Sequence, residues 1–217
     1  PQIAVLTTVG VSHKEFFNSE AEIAFEKGKL AAALSADGTF VYNAGDIHVA
    51  EQTKRTPAKL ISFGKSTADV TAISIEEELK QPPKMKLRLK TPTRELNVII
   101  PVVGSAHESA VLAAVAVAES LEVETDLVVK GLASYRAMPG RLNVLAGIKR
   151  TIIIDDTYNA APLSMSEALK LLSRFPAHPK VAVLGDMREL GDTTDSAHEQ
   201  IGRLAGSLEL SFLYTVG

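Results

Sequence analysis

The sequence predicts an α/β protein in two parts, and three observations carry that expectation. Short apolar runs bounded by turn residues alternate with stretches of helical period. Between positions 60 and 101 the helical stretches give way to one strand-like run after another. At Pro139-Gly140 the chain is strongly punctuated, and beyond it strand and helix alternate again. We therefore expect a first part over residues 1–138, with a β-rich section inserted in an α/β frame, and a second part over residues 139–217. Alternation at the spacing of the second part predicts a parallel, doubly wound sheet.

Taken in order, Ile3 to Leu6 is a short apolar run closed by Thr7-Thr8, the pattern of a buried strand feeding a loop. Ser19 followed by Glu22 is a capping-box signature, and Ile23, Phe25 and Leu30 continue a helix to about Leu34. Phe40-Val41-Tyr42 is a strand ended by Asn43-Ala44-Gly45-Asp46. Strands follow at 60–63, 70–75, 85–89 and 96–100. The alternation from Lys84 to Lys90 marks a half-exposed, antiparallel strand. Ser105 to Leu121 reads as a helix whose Ala113, Ala114, Ala116 and Ala118 permit close packing on a sheet. The second part offers strands at 151–154, 181–184 and 210–216, with helices at 164–172 and 196–204 between them.

Composition narrows the function classes. With 46% hydrophobic and 23% charged residues the chain has the means to bury a core, which argues against disorder. A net charge of −3 supplies no basic field for nucleic acid or an anionic membrane. Cysteine is absent, which excludes disulfides, thiolate zinc sites and a cysteine nucleophile, and fits a reducing, cytoplasmic setting. The longest apolar run, Ala110 to Ala118, falls well short of the roughly 20 residues of a membrane span. The chain opens and closes inside strand-like runs, so it reads as a piece of something longer.

Four stretches place polar residues where open α/β sheets hold ligands, beyond the carboxyl ends of strands or on the adjoining helix. His13 and Glu15 follow the first strand and could bind a ligand or be ordinary solvated loop residues. Glu26-Lys27-Gly28-Lys29 could be a functional cluster or a charged helical face. In Ile154-Asp155-Asp156-Thr157-Tyr158-Asn159 the paired carboxylates could hold a metal or ribose hydroxyls, or could merely cap and end the strand. Gly185-Asp186-Met187-Arg188-Glu189 could let backbone approach a ligand, or form a tight turn. Phe63-Gly64-Lys65-Ser66-Thr67 mimics the end of a phosphate loop, but the required earlier glycine is Lys59, so no such cradle is expected there.

Together with Asn43-Ala44-Gly45-Asp46 and Gly140-Arg141, these stretches in this order resemble the Mur ligase family along nearly the whole chain. The resemblance covers the later part of the family's central ATPase domain, with its β-rich section, and the earlier part of its Rossmann-like C-terminal domain. It implies an ATP-dependent amide ligation. A substrate carboxylate attacks the γ-phosphate, and an amine displaces phosphate from the acyl phosphate. Magnesium neutralises phosphate charge in such chemistry. The last two motifs look most like the member that adds D-alanyl-D-alanine to a UDP-N-acetylmuramoyl-tripeptide in cell-wall precursor synthesis. The alternatives are family members that add single amino acids, extend folate or cyanophycin chains, or bind nucleotide without catalysis.

By the same resemblance, His13 is a magnesium ligand, Glu15 supports that site, and Lys27 falls on a lysine carried as its carbamate. Carbamylation turns an ammonium into a carboxylate oxygen donor and requires the amine in its neutral form. Asn43 and Asp46 fall near the nucleotide, and His107 falls where a base edge is read. Arg141 matches a hinge arginine that reaches phosphates, a task suited to its bidentate guanidinium. Asp156 would hold the ribose, with Tyr158 and Asn159 on the same nucleotide edge, and Asp186, Met187 and Glu189 would meet the incoming dipeptide. The implied cofactors are ATP and Mg2+, and the implied protein is a cytoplasmic monomer that needs no nucleic acid. The sequence departs from the family pattern at Thr8, Lys14, Asn18, Lys29, His107 and Ala110. The family's Gly-Lys-Thr phosphate loop has no counterpart between Pro1 and Gly217, so this chain by itself is expected to be inactive.

Overall fold

In the computed structural model, residues 1–10, 17 and 19–217 are described. The first part is built on one mixed six-stranded sheet. Strands β1 (Ile3–Leu6), β2 (Thr39–Asn43) and β3 (Lys59–Gly64) run parallel, and β4 (Val70–Glu78) joins them in the same sense. Strands β5 (Lys84–Lys90) and β6 (Glu95–Ile100) then add antiparallel to β4 and to each other. The β-rich section is thus an extension of the α/β sheet, where the sequence reading had an insertion. The cause is the length of β4. Its first residues, Val70 and Thr71, pair with Phe63 and Gly64, while the rest of the strand pairs with β5.

Both faces of the parallel strands are covered. Helix α1 (Glu20–Ala32) begins as expected, with the Ser19 hydroxyl accepting from the Glu22 N–H at 3.2 Å. It packs Ile23, Ala24 and Ala31 with Ala4, Leu6, Phe40 and Val49, the last from the short helix α2 (Ile47–Glu51). On the opposite face, helix α3 (Ser105–Ser120) packs Val111, Leu112, Val115 and Ala116 with Val41, Ile61, Phe63 and the inward residues of β5 and β6. Strand β2 shows the sorting: Phe40 faces one layer and Val41 the other, both 0% exposed. Burying a side chain such as Phe40 contributes on the order of 2–3 kcal/mol. Strand β5 buries Met85, Leu87 and Leu89 and exposes Lys84, Arg88 and Lys90, as its alternation predicts. Helix α4 (Thr125–Ala133) completes this part and packs on β6.

In the second part, β7 (Asn143–Ala146) pairs antiparallel with β8 (Ile152–Asp155), and β9 (Val181–Gly185) pairs parallel with β10 (Phe212–Val216). This differs from the single parallel sheet predicted. Strand β8 takes as its partner β7, a run too short and too close to the Pro139-Gly140 turn to be read as a strand. Helix α5 (Pro162–Arg174) and helix α6 (Thr194–Ser207) pack Met165 and Leu169 with Ala197, Ile201 and Ala205. The two parts share a small apolar cluster of Val103, Leu142, Leu171 and Phe175. Beside it, Glu77 of β4 accepts from the Gly104 N–H at 2.6 Å and pairs with Arg174 of α5, while Ser105 donates to Glu167. No described helix is long and apolar enough to cross a membrane.

Candidate functional site

The first half of the site is the loop that leaves β1 at the carboxyl end of the parallel strands. Asn43 donates through Nδ2 to the Thr7 carbonyl at 2.9 Å and accepts the Gly45 N–H through Oδ1 at 2.8 Å. Asp46 caps α2 by accepting from the Val49 N–H at 3.1 Å. Its other oxygen accepts from the Val9 N–H at 2.8 Å and the Thr8 hydroxyl at 3.0 Å. Both side chains are thereby committed to shaping the 7–9 loop. Lys27 on α1 donates to the Thr8 carbonyl at 3.2 Å, so the expected lysine reaches the same loop. The glycine beside it has a local reason. A Cβ on Gly28 would lie 2.0 Å from Gln52 Oε1 and 2.5 Å from an Arg55 guanidinium nitrogen, so a side chain there would displace the Gln52 and Arg55 side chains that lie against α1. Arg55 then stacks 4.1 Å over Phe25 and donates to its carbonyl.

His13 and Glu15 lie outside the described residues, as do Lys14 and Asn18. Among the described residues no group of three or more His, Asp or Glu could hold a metal ion. The Asp46 oxygens already accept three hydrogen bonds and the Thr8 carbonyl accepts from Lys27, so among the described residues a hard cation would need Lys27 to leave that carbonyl and supply an oxygen donor as its carbamate.

The second half is built on the turn from Pro139 into β7. Gly140 has φ +74°, and its N–H donates to Asp155 Oδ2 at 2.9 Å while its carbonyl accepts from Tyr158 N at 3.1 Å. The hydrogen bonds from the Thr157 hydroxyl and the Gly140 N–H hold Asp155 below the usual carboxylate range. Asp156 accepts the Leu142 N–H at 3.0 Å, and its partial burial pushes its pKa up. The Arg141 guanidinium lies 3.8 Å over the Tyr158 ring, and that ring is 69% exposed. Asn159 is exposed on the same loop. The structure thus brings Arg141, Asp156, Tyr158 and Asn159 into one neighbourhood, with a free guanidinium edge beside a carboxylate. That arrangement suits a phosphate and a hydroxyl-bearing sugar.

His107 differs from its sequence reading. It is 6% exposed, with Nε2 3.5 Å from the Leu142 carbonyl and Nδ1 3.5 Å from the Tyr135 hydroxyl. Both ring nitrogens face protein groups, and burial pushes the imidazole pKa down.

In the loop after β9, Asp186 and Glu189 are exposed, whereas Met187 is 3% exposed and packs in the core of the second part. The Met187 N–H donates to His198 Nε2 at 3.1 Å, which makes Nδ1 the protonated nitrogen, donating to the Thr194 carbonyl at 2.8 Å. Met187 therefore anchors the loop and leaves Asp186 and Glu189 at its surface. Sequence reasoning missed His198, Leu142 and Glu77. His198 carried only the weak signal of a histidine on a helix facing a loop, and Glu77 and Leu142 carried none.

Comparison with known proteins identifies the family and the fold. The Mur ligase middle domain matches residues 1–118, and the Mur ligase, glutamate ligase domain matches residues 140–217. The UDP-N-acetylmuramoyl-tripeptide--D-alanyl-D-alanine ligase of Escherichia coli (strain K12) is 30% identical over all of this chain, which covers 48% of that protein. A crystal structure of MurF from Acinetobacter baumannii superposes with a TM-score of 0.91 at 32% identity, over 100% of this chain and 47% of that one. MurF ligase from Thermotoga maritima, in complex with ADP, gives a TM-score of 0.84 at 26% identity over 99% of this chain and 48% of that one. The chain spans about half the length of the curated relatives it matches. It belongs to the Mur ligase family.

Proposed function

We propose that the protein to which this chain belongs is an ATP-dependent amide ligase that adds D-alanyl-D-alanine to a UDP-N-acetylmuramoyl-tripeptide through an acyl phosphate. The observation that carries this reading is the cluster of Arg141, Asp156 and Tyr158 at the joint between two matched Mur ligase segments. The relatives that bear this activity in their names, and the relative seen with ADP, supply the substrate class. In this reading residues 1–138 are the later part of the central domain and 139–217 the earlier part of the C-terminal domain. The Pro139-Gly140 turn supports that division.

Each residue has a task. Arg141 presents its guanidinium to phosphate oxygens while Tyr158 holds its plane. Asp156 accepts from ribose hydroxyls through the oxygen that Leu142 leaves available, with Asn159 beside it. His107 stands behind this cluster, with its ring nitrogens turned to Leu142 and Tyr135. Lys27 as its carbamate, with His13 and Glu15, would hold magnesium, which when bound neutralises phosphate charge. Asn43 and Asp46 keep the loop between them in register. Asp186 and Glu189, on the loop anchored by Met187, face the amine-bearing dipeptide. The reading includes a cytoplasmic, monomeric protein.

The test is ADP release by the full-length protein with UDP-N-acetylmuramoyl-tripeptide and Mg-ATP. The proposal expects release to depend on D-alanyl-D-alanine. Release that ignores the dipeptide but responds to D-glutamate or meso-diaminopimelate would assign a different ligase.

A further inference from the structure

Leu142 follows Arg141 and has φ +47°, a left-handed conformation disfavoured for a bulky L side chain. The other described non-glycine residues with positive φ are Glu122, Lys149, Arg150 and Glu189, all polar. Leu142 is apolar and only 6% exposed, so its conformation is held from within the fold.

Three contacts from both parts of the chain do the holding. Asp156 accepts its N–H at 3.0 Å. His107 Nε2, on α3, approaches its carbonyl oxygen at 3.5 Å. The side chain packs with Val103, Leu171 and Phe175. The tautomer of His107 follows from the network. With Nε2–H directed at the Leu142 carbonyl, Nδ1 is the acceptor for the Tyr135 hydroxyl at 3.5 Å, and the two rings meet edge to face at 5.8 Å. Burial keeps the imidazole neutral, which that acceptor role requires.

We propose that Leu142 is the pivot of the linker between the two parts, and that His107 is a positioning residue that fixes the pivot from α3 and so aims Arg141. Gly140, Arg141 and Leu142 are tied to the second part by Asp155, Tyr158 and Asp156. From the first part, the histidine adds a side-chain tie to the one made by the backbone bond from the Arg141 N–H to the Met138 carbonyl. It therefore couples the Arg141–Tyr158 plate to α3, the helix packed on one face of the first part's sheet. The catalytic consequence rests on the ligase reading above; the mechanical one does not.

The test uses the full-length protein with His107→Phe, which keeps a ring against Tyr135 but removes both nitrogens, and His107→Gln, which restores a donor to Leu142. Hydrogen–deuterium exchange without nucleotide should rise roughly fivefold across residues 140–144 in the Phe variant, the size of one ordinary hydrogen bond, while β5 and β6 stay protected. The Gln variant should keep the native exchange. In turnover, His107→Phe should lower kcat about tenfold through misplacement of Arg141, leave the KM for the UDP-sugar substrate unchanged, and be rescued by Gln. Native exchange at 140–144 in the Phe variant, or a rise spread evenly over the chain, would overturn the proposal. If the Phe variant does not fold, Tyr135→Phe should raise exchange in the same segment, and no rise there would also overturn it. A wild type without dipeptide-dependent turnover would defeat the ligase reading alone, leaving the exchange result to decide the pivot.

Discussion

Replacing Gly140 by alanine tests how tightly the turn into β7 is built. Gly140 has φ +74°, where an L side chain costs about 1–2 kcal/mol. An added Cβ would lie 2.8 Å from Tyr158 N and 3.1 Å from Tyr158 Cβ. The first of these is backbone and cannot swing aside, so the 156–159 loop must move. That movement strains the hydrogen bonds from Tyr158 N and to Asp155 Oδ2, each worth about 1 kcal/mol. Gly140→Ala should therefore destabilise the protein by about 2–4 kcal/mol. Gly131→Ala is the internal control, because that glycine is exposed in α4 with nothing within 4 Å of an added Cβ. It should stabilise by up to about 1 kcal/mol through helix propensity. Urea unfolding of the full-length variants, followed by a probe in this region, reads both. Equal stability of the two variants would refute the reasoning, because it would mean that the turn tolerates a side chain where the structure leaves no room.

Other expectations follow from the same contacts. Lys27→Ala should abolish turnover of the full-length protein, with partial rescue by short carboxylic acids, and mass spectrometry of wild type should find the carbamate; undiminished turnover would remove Lys27 from the mechanism. Glu77→Ala strands the Gly104 N–H and should cost about 1–3 kcal/mol, whereas Arg174→Ala, at the half-exposed end of that pair, should cost about 1 kcal/mol or less, and a reversed order would contradict the capping role. His107 sits below its ordinary 6.5, so the unfolded chain takes up a proton that the folded chain refuses, and stability should fall as pH drops through 6.5. Asp156 has the opposite sign, since its raised pKa makes stability fall as pH rises from 3.8 to the lifted value. Subtracting the His107→Phe curve from wild type should leave a decline between about pH 7 and pH 5, and a flat difference would contradict the assignment.

What the sequence disclosed is what local chemistry encodes. Ser19 announced the start of α1, the alternation from Lys84 to Lys90 announced a half-exposed strand, and Pro139-Gly140 marked a sharp turn that the structure uses to bring Arg141 against Tyr158. Helix α2 was missed although its cap, Asp46, was in view, because five helical residues offer too little period to read. Helix α4 and strand β7 were missed beside stronger signals. The double pairing of β4 is a long-range choice that no local pattern reveals. The same limit applies at the site. The Asp155-Asp156 pair is legible as two carboxylates, but their division of labour depends on backbone N–H groups 14 and 15 residues away. The Glu77–Arg174 tie spans 97 residues and leaves no trace in either neighbourhood.

The central claim is that the Arg141–Tyr158–Asp156 cluster grips a nucleotide. Calorimetric titration of Mg-ATP into the full-length protein, wild type against Arg141→Ala, tests it most directly. Loss of one charge-assisted bidentate contact should weaken binding by about tenfold to a hundredfold. Equal affinity in the two proteins would contradict the account.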